Sequence, residues 1–181
     1  MMDNDVKYVL CSEQELKDIC KRLGEQITED YKDKNLIIVS VLKGAFVFCA
    51  DIFREIKIPC EIDFMAISSY IGKSTSSSGS IRLLKDLGVD ISGMDVLIVE
   101  DILDSGRSLS YTIELLKTRN PNSITICTLL DKPDRREADV YAKYIGKIIP
   151  DEFVVGYGLD YDEKYRNLPY VGVLSPSVYE K

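Results

Sequence analysis

The run Leu36-Ile37-Ile38-Val39-Ser40-Val41 constrains the fold most. It is almost continuously apolar and rich in β-branched residues. Such a run suits a strand covered on both faces, as strands of a parallel sheet are. Asp95 to Val99 and Ile124 to Leu130 repeat the pattern, Cys60 to Ser68 reads as another strand, and Ser80 to Leu84 as a return strand. Phe153-Val154-Val155 and Val171-Gly172-Val173-Leu174 read as two short late strands. Between them lie helical patterns. Ser12-Glu13-Gln14-Glu15 has the spacing of a capping box, followed by Leu16, Ile19, Cys20, Leu23 and Ile27 at helical intervals. Ala45 to Phe53 reads as a buried helix, and Leu109 to Thr118 as an amphipathic one. Strands alternating with helices predict an α/β fold with a mainly parallel twisted sheet flanked by helices. The 181 residues fit one domain.

Composition removes whole classes of chemistry. The chain contains no histidine, so Ser-His-Asp and Cys-His catalysis and His-ligated zinc are excluded. A general base must be Asp, Glu, Lys, Tyr or Cys. The net charge of -7 weighs against nucleic-acid binding, which needs basic surfaces. It leaves room for a small phosphorylated ligand held by backbone N–H groups and a cation. Cys11, Cys20, Cys49, Cys60 and Cys127 form no C-x-x-C pair and read as free thiols in a reducing compartment. The acidic start, Met1 to Asp5, lacks a secretory pattern, and no apolar run is long enough to span a bilayer. A cytoplasmic protein without a membrane or nucleic-acid partner is the expectation.

The chemistry concentrates in Val96-Leu97-Ile98-Val99-Glu100-Asp101-Ile102-Leu103-Asp104-Ser105-Gly106-Arg107-Ser108-Leu109. An apolar strand runs into two acids, and a short loop then opens a helix. Loop N–H groups and a helix N-terminus make an anion site. Gly106 permits close approach of the backbone to a ligand, and Ser105 and Ser108 offer hydroxyl donors. Glu100 and Asp101 would repel the anion, so ribose hydroxyls and Mg²⁺ are their natural partners. Two other motifs fail. A nucleotide-triphosphate P-loop needs glycine five positions before Gly106, where Asp101 stands, and its lysine is absent. Gly156-Tyr157-Gly158 lacks the third glycine of a dinucleotide fingerprint, because position 161 is tyrosine. A lone Glu-Asp pair at a strand end commonly just solvates a loop. The full fourteen-residue string is far more specific.

That string resembles the phosphoribosyl-pyrophosphate signature of type I phosphoribosyltransferases, and the motifs from about Val39 to Leu174 resemble the hypoxanthine-guanine branch, especially its bacterial members. The resemblance implies a single phosphoribosyltransferase domain over 1–181. Its core would span about 36–150, with a small hood lobe from the C-terminal region and N-terminal contributions. It implies transfer of the 5-phosphoribosyl group to hypoxanthine or guanine, giving IMP or GMP and pyrophosphate, with Mg²⁺. Asp104 would be the general base, and Glu100, Asp101, Asp104, Ser105, Gly106, Arg107 and Ser108 the ribose- and phosphate-binding set. Lys43, Gly44 and Arg166 would bind pyrophosphate, with a cis peptide at Leu42-Lys43. Ser69 and Tyr70 would open a mobile lid through the Gly/Ser-rich stretch up to Ser80, which composition alone reads as a surface loop. Lys132 would donate to the purine 6-oxo group, Phe153 would stack on the base, Val154 would read its edge, and Asp160 would sit at base and metal. The metal set implied is Glu100, Asp101 and Asp160. Family members usually form homodimers or homotetramers. The residues depart from the common pattern at Arg107, Ser105 and Ser108, which keep the charge and the hydroxyls for phosphate, and at Pro133-Asp134, which bear on base preference and leave a related transferase for xanthine or another base as an alternative. A non-catalytic regulator of the same fold that binds nucleotides or nucleic acid is the alternative from another class, and the acidic balance and the intact set Glu100, Asp101, Asp104, Lys132 and Asp160 oppose it.

Overall fold

The computed structural model describes residues 2–70 and 80–179, the side chains of Asp3, Ser69, Tyr70 and Ser80 excepted. The expected lid stretch at 71–79 lies outside the described residues. Chain order is β1 (Val6–Cys11), α1 (Glu13–Asp30), β2 (Leu36–Leu42), α2 (Phe46–Glu55), β3 (Glu61–Tyr70), β4 (Ser80–Lys85), β5 (Asp95–Leu103) and α3 (Arg107–Lys117). It continues with β6 (Ser123–Asp131), β7 (Tyr144–Ile148), β8 (Val154–Val155), β9 (Val171–Leu174) and α4 (Pro176–Tyr179).

Six strands form one sheet in the order β4-β3-β2-β5-β6-β7, and β1-β9-β8 form a second. In the large sheet β3-β2-β5-β6-β7 run parallel, and only edge strand β4 pairs antiparallel. The small sheet is antiparallel. The β-branched runs are buried on both faces with period two. Leu36, Ile38, Leu97, Val99, Cys127 and Leu129 pack towards α1 and α2, against Leu16, Leu23, Phe48 and Ile52. Ile37, Val39, Val96, Ile98 and Ile126 pack on the other face, against Leu109 and Leu116 of α3. The capping box of α1 forms: the Ser12 hydroxyl accepts from the Glu15 N–H, and the Glu15 carboxylate accepts from the Ser12 N–H. Among the described residues no helix is long and apolar enough to cross a membrane.

Three elements depart from the pattern. β5 runs to Leu103 because β6 keeps pairing with it, Ile102 to Leu130 and Leu103 to Asp131, so Glu100 and Asp101 lie within the strand and not after it. α3 begins two residues before Leu109. β1 and β7 have no counterpart in the sequence pattern, since β1 exposes three of its six residues and β7 is a short edge strand whose Gly146 packs on the Leu129 carbonyl.

Candidate active site

The large sheet reverses its order of construction at β2 and β5: the chain proceeds from β2 to β3 on one side and continues with β5 and β6 on the other. In open α/β sheets, ligands bind in the crevice beyond the strand carboxyl ends at such a point. Pairing between β2 and β5 ends at Ser40 and Val99. Beyond it β2 turns through the Leu42-Lys43 cis peptide, while β5 carries Glu100 and Asp101 into the opening. Gly44 faces Asp101 so closely that a Cβ there would lie 1.7 Å from Asp101 Oδ2. Any side chain there would have to displace that carboxylate.

Both acids are half-buried. Burial pushes the Glu100 carboxyl well up, with the Asp101 charge adding to the effect. Glu100 Oε2 is buried without a hydrogen-bond partner. Burial also raises Asp101, to about 6, against the opposing N–H of Ile102, which donates to Asp101 Oδ1 at 2.7 Å.

The turn after β5 is a cup. Gly106 holds φ +79°, in the left-handed region that favours glycine. The N-cap Gly106 has no side chain to cap α3, and apart from the Arg107 N–H, which donates to Ser105 Oγ at 3.5 Å, the first-turn N–H groups are available to an anion. Glu100, Asp104, Ser105, Gly106 and Ser108 line a small cavity of about 100 Å³ there. Arg136 braces the turn from behind by donating to the Asp104 carbonyl at 2.6 Å, while its other arm pairs with Asp131. Arg107 points to Glu137 at 2.5 Å.

Beside the cup, Asp104, Lys132, Phe153, Val154 and Asp160 line a cavity of about 410 Å³. Lys132 is 7% exposed, and its ammonium donates to the Glu152 carbonyl at 2.6 Å. Phe153, just before β8, is 41% exposed. Val154 is buried within β8. Asp104 Oδ1 lies 3.0 Å from Arg135 Nε, and Arg135 also reaches Asp151 at 3.2 Å. A roomier groove of about 550 Å³ lies where α3 ends and β6 begins, lined by residues such as Lys117, Ser123 and Tyr141. It is at the opposite end of β6 from the acids.

Arg166 and Lys43 meet on one carboxylate. Lys43 Nζ is 3.0 Å and Arg166 Nη2 3.3 Å from Glu163 Oε2. Arg166 also pairs with Asp160 at 2.8 Å and donates to the Gly158 carbonyl at 2.8 Å. Tyr157, Asp162, Glu163 and Tyr165 adopt positive φ in this loop, the kind of backbone strain that gathers at functional sites.

Apart from Ser69 and Tyr70, the expected residues come together from five segments. Ser69 and Tyr70 end β3, paired with Ile81 and Ser80 of β4. Pattern reading missed Arg135, Asp151, Glu163 and Tyr179. Each is a charged or aromatic residue in a loop or near the chain's end, without periodic signal, and only long-range contacts reveal it.

Fold and turn together define the class, the type I phosphoribosyltransferase fold. The chain matches the phosphoribosyl transferase domain over residues 10–162. It is 56% identical over 180 residues to a hypoxanthine-guanine phosphoribosyltransferase of Staphylococcus epidermidis, covering 99% of this chain and 100% of that one. A crystal structure of a hypoxanthine phosphoribosyltransferase from Staphylococcus aureus superposes with a TM-score of 0.95 at 54% identity, covering 99% of this chain and 97% of that one. The Trypanosoma cruzi hypoxanthine phosphoribosyltransferase, as a ternary substrates complex of a mutant, gives 0.90 at 38% identity over 97% of this chain and 99% of that one. The chain belongs to the phosphoribosyltransferase family, in its hypoxanthine-guanine branch.

Proposed function

We propose that this enzyme transfers the 5-phosphoribosyl group of phosphoribosyl pyrophosphate to hypoxanthine or guanine, giving IMP or GMP and pyrophosphate. One juxtaposition carries the reading: an uncapped helix N-terminus at Asp104–Ser108 beside two half-buried carboxylates, with the Lys132–Phe153 cavity adjoining.

The 5′-phosphate sits in the cup, taking N–H groups of the turn and the hydroxyls of Ser105 and Ser108. Arg107 exchanges Glu137 for phosphate. Glu100 and Asp101 hold the ribose hydroxyls and favour positive charge on the ring as the C1–O bond to pyrophosphate breaks. The purine nitrogen forms the new bond to C1, and Asp104 accepts the proton lost from N7. Lys43, Gly44 and Arg166 receive the pyrophosphate. Lys132 donates to the 6-oxo group, Phe153 stacks on the ring, and the Val154 backbone reads its edge.

The acids suit Mg²⁺. The buried, unpartnered Glu100 Oε2 fits a cation, and Asp101 and Asp160 complete the proposed carboxylate set. Among the described residues no three Asp, Glu, Cys or His side chains gather as a metal cage. The three acids would therefore not close on one ion together; one or two of them, with substrate oxygens and water, would hold Mg²⁺. When bound, the ion neutralises charge on the leaving pyrophosphate.

The β1-β9-β8 sheet serves as a hood over the base cavity, and Ser69 and Tyr70 begin the lid. Cys11, Cys20, Cys49, Cys60 and Cys127 are all free thiols, which suits a reducing cytoplasm. Assembly as a homodimer or homotetramer is part of the same reading.

The test is pyrophosphate release by purified protein given phosphoribosyl pyrophosphate, Mg²⁺ and each of hypoxanthine, guanine, xanthine and adenine. Turnover is expected with the first two, and Asp104→Asn should lower kcat by about 10²–10⁴. No turnover with any 6-oxopurine overturns the reading.

A further inference from the structure

We propose that Tyr179, from the C-terminal helix, is a positioning residue for the purine: it backs the Phe153 ring and completes the aromatic wall of the base cavity. The inference rests on the reading of Phe153 as the stacking residue.

Phe153 precedes β8 and is 41% exposed, so an isolated ring there would be free to reorient. Two tyrosines prevent this. Tyr179 lies nearly parallel to Phe153, with centroids 5.2 Å apart and planes at 25°. Tyr161 meets Phe153 edge-on at 5.6 Å and 86°. The two tyrosines are themselves 6.4 Å apart at 62°. These are favoured aromatic geometries. A ring has two faces. Tyr179 takes one, which leaves the other for a flat base. Tyr179 also lines the cavity itself, alongside Asp104, Lys132 and Phe153.

The tyrosine is held from behind. Tyr179, Val178 and Tyr161 pack against the buried cluster of Val155, Tyr165, Leu168 and Leu174. The segment leading to it is tied to the chain's start, where the Ser175 N–H donates to the Asp5 carbonyl at 2.8 Å. The Tyr165 hydroxyl donates to Asp5 Oδ2, also at 2.8 Å. Both chain ends therefore set the wall that meets the base. A pre-ordered ring spares the purine the entropy of ordering it. The sugar and pyrophosphate subsites, on the other strand ends, gain nothing from this contact.

The experiment compares Tyr179→Ala, Tyr179→Phe and Phe153→Ala in steady-state kinetics with hypoxanthine and with phosphoribosyl pyrophosphate. Tyr179→Ala should raise the purine KM about 2- to 13-fold, the range for one aromatic pair, without a matching rise in the sugar KM. Tyr179→Phe, which keeps the ring, should restore the purine KM. An unchanged purine KM in Tyr179→Ala, a lowered one (a ring that blocks the base), or an equal rise for both substrates overturns the inference. The Phe153→Ala arm separates failures. If it leaves the purine KM unchanged, the stacking assignment fails too. If it raises the purine KM while Tyr179→Ala does not, only the role of Tyr179 is lost.

Discussion

A lysine that is 7% exposed needs a reason to be there, and Lys132 has two. The Glu152 carbonyl takes one of its N–H donors at 2.6 Å, and an ammonium has three. Asp151 Oδ1 lies 3.7 Å from the same ammonium, and the cavity lined by Lys132 adjoins it. Lys132→Ala should weaken 6-oxopurine binding by about 1.5–3 kcal/mol, the range for hydrogen bonds to charged groups, leaving the sugar's affinity unchanged in calorimetric titration. Asp101 gives a pH signature. Its carboxyl is raised from 3.8 to about 6 in the fold, so between those values the folded chain holds a proton the unfolded chain has released. Stability falls as pH climbs through this window, and the cost is complete above about pH 6. Without substrate or Mg²⁺, Asp101→Asn should therefore melt higher than the parent at pH 8, by at least about 2–4 °C, the shift that roughly 1 kcal/mol makes at this chain length. The difference should close near pH 4. A melting difference that is constant across pH would contradict the buried-carboxyl account.

At the level of elements, the site depends on β2 ending before β5 does. Val99 is the last residue of β5 paired with β2, yet β5 continues to Leu103 against β6. The overhang carries Glu100 and Asp101 into the crevice that the turn at Lys43-Gly44 leaves open. Gly44→Ala would thrust a methyl into the Asp101 carboxylate, and overpacking of that kind costs about 1–3 kcal/mol. Its melting temperature should fall, and the loss should be much smaller when Asp101→Ala is also present, because the two changes share one contact. Additive losses would mean the two residues do not press on each other. The strands β2, β5, β6 and β9 were legible in advance because two-sided burial demands continuous apolar sequence. β1 was not, since half its residues are exposed and its place depends on pairing with β9 from the far end of the chain. The overhang itself was invisible for a similar reason: strand length was set by a neighbour's hydrogen bonds and not by local pattern.

Across the whole molecule, ligand binding and folding are linked. Phosphoribosyl pyrophosphate would bridge the turn after β5, the turn after β2 and the loop carrying Asp160 and Arg166, segments some 120 residues apart such as Lys43 and Glu163. At a hundredfold excess over its Kd, with Mg²⁺, the sugar should add about 2.7 kcal/mol to stability, or roughly 5–11 °C in melting temperature. Ribose 5-phosphate without the pyrophosphate should give less. Equal shifts for the two would leave the Lys43 and Arg166 subsite without support.

The amino-acid sequence by itself determined the α/β class, the turn at Asp104–Ser108 that opens a helix and the acids before it, because each is written in contiguous residues whose local geometry follows from their types. Only the tertiary structure decided the rest. It set Arg135 against Asp104, brought Lys43 and Arg166 onto Glu163, and laid Tyr179 on Phe153. Those contacts join segments distant along the chain, and their distances are set by how sheets and loops pack. No periodicity in the intervening residues encodes them.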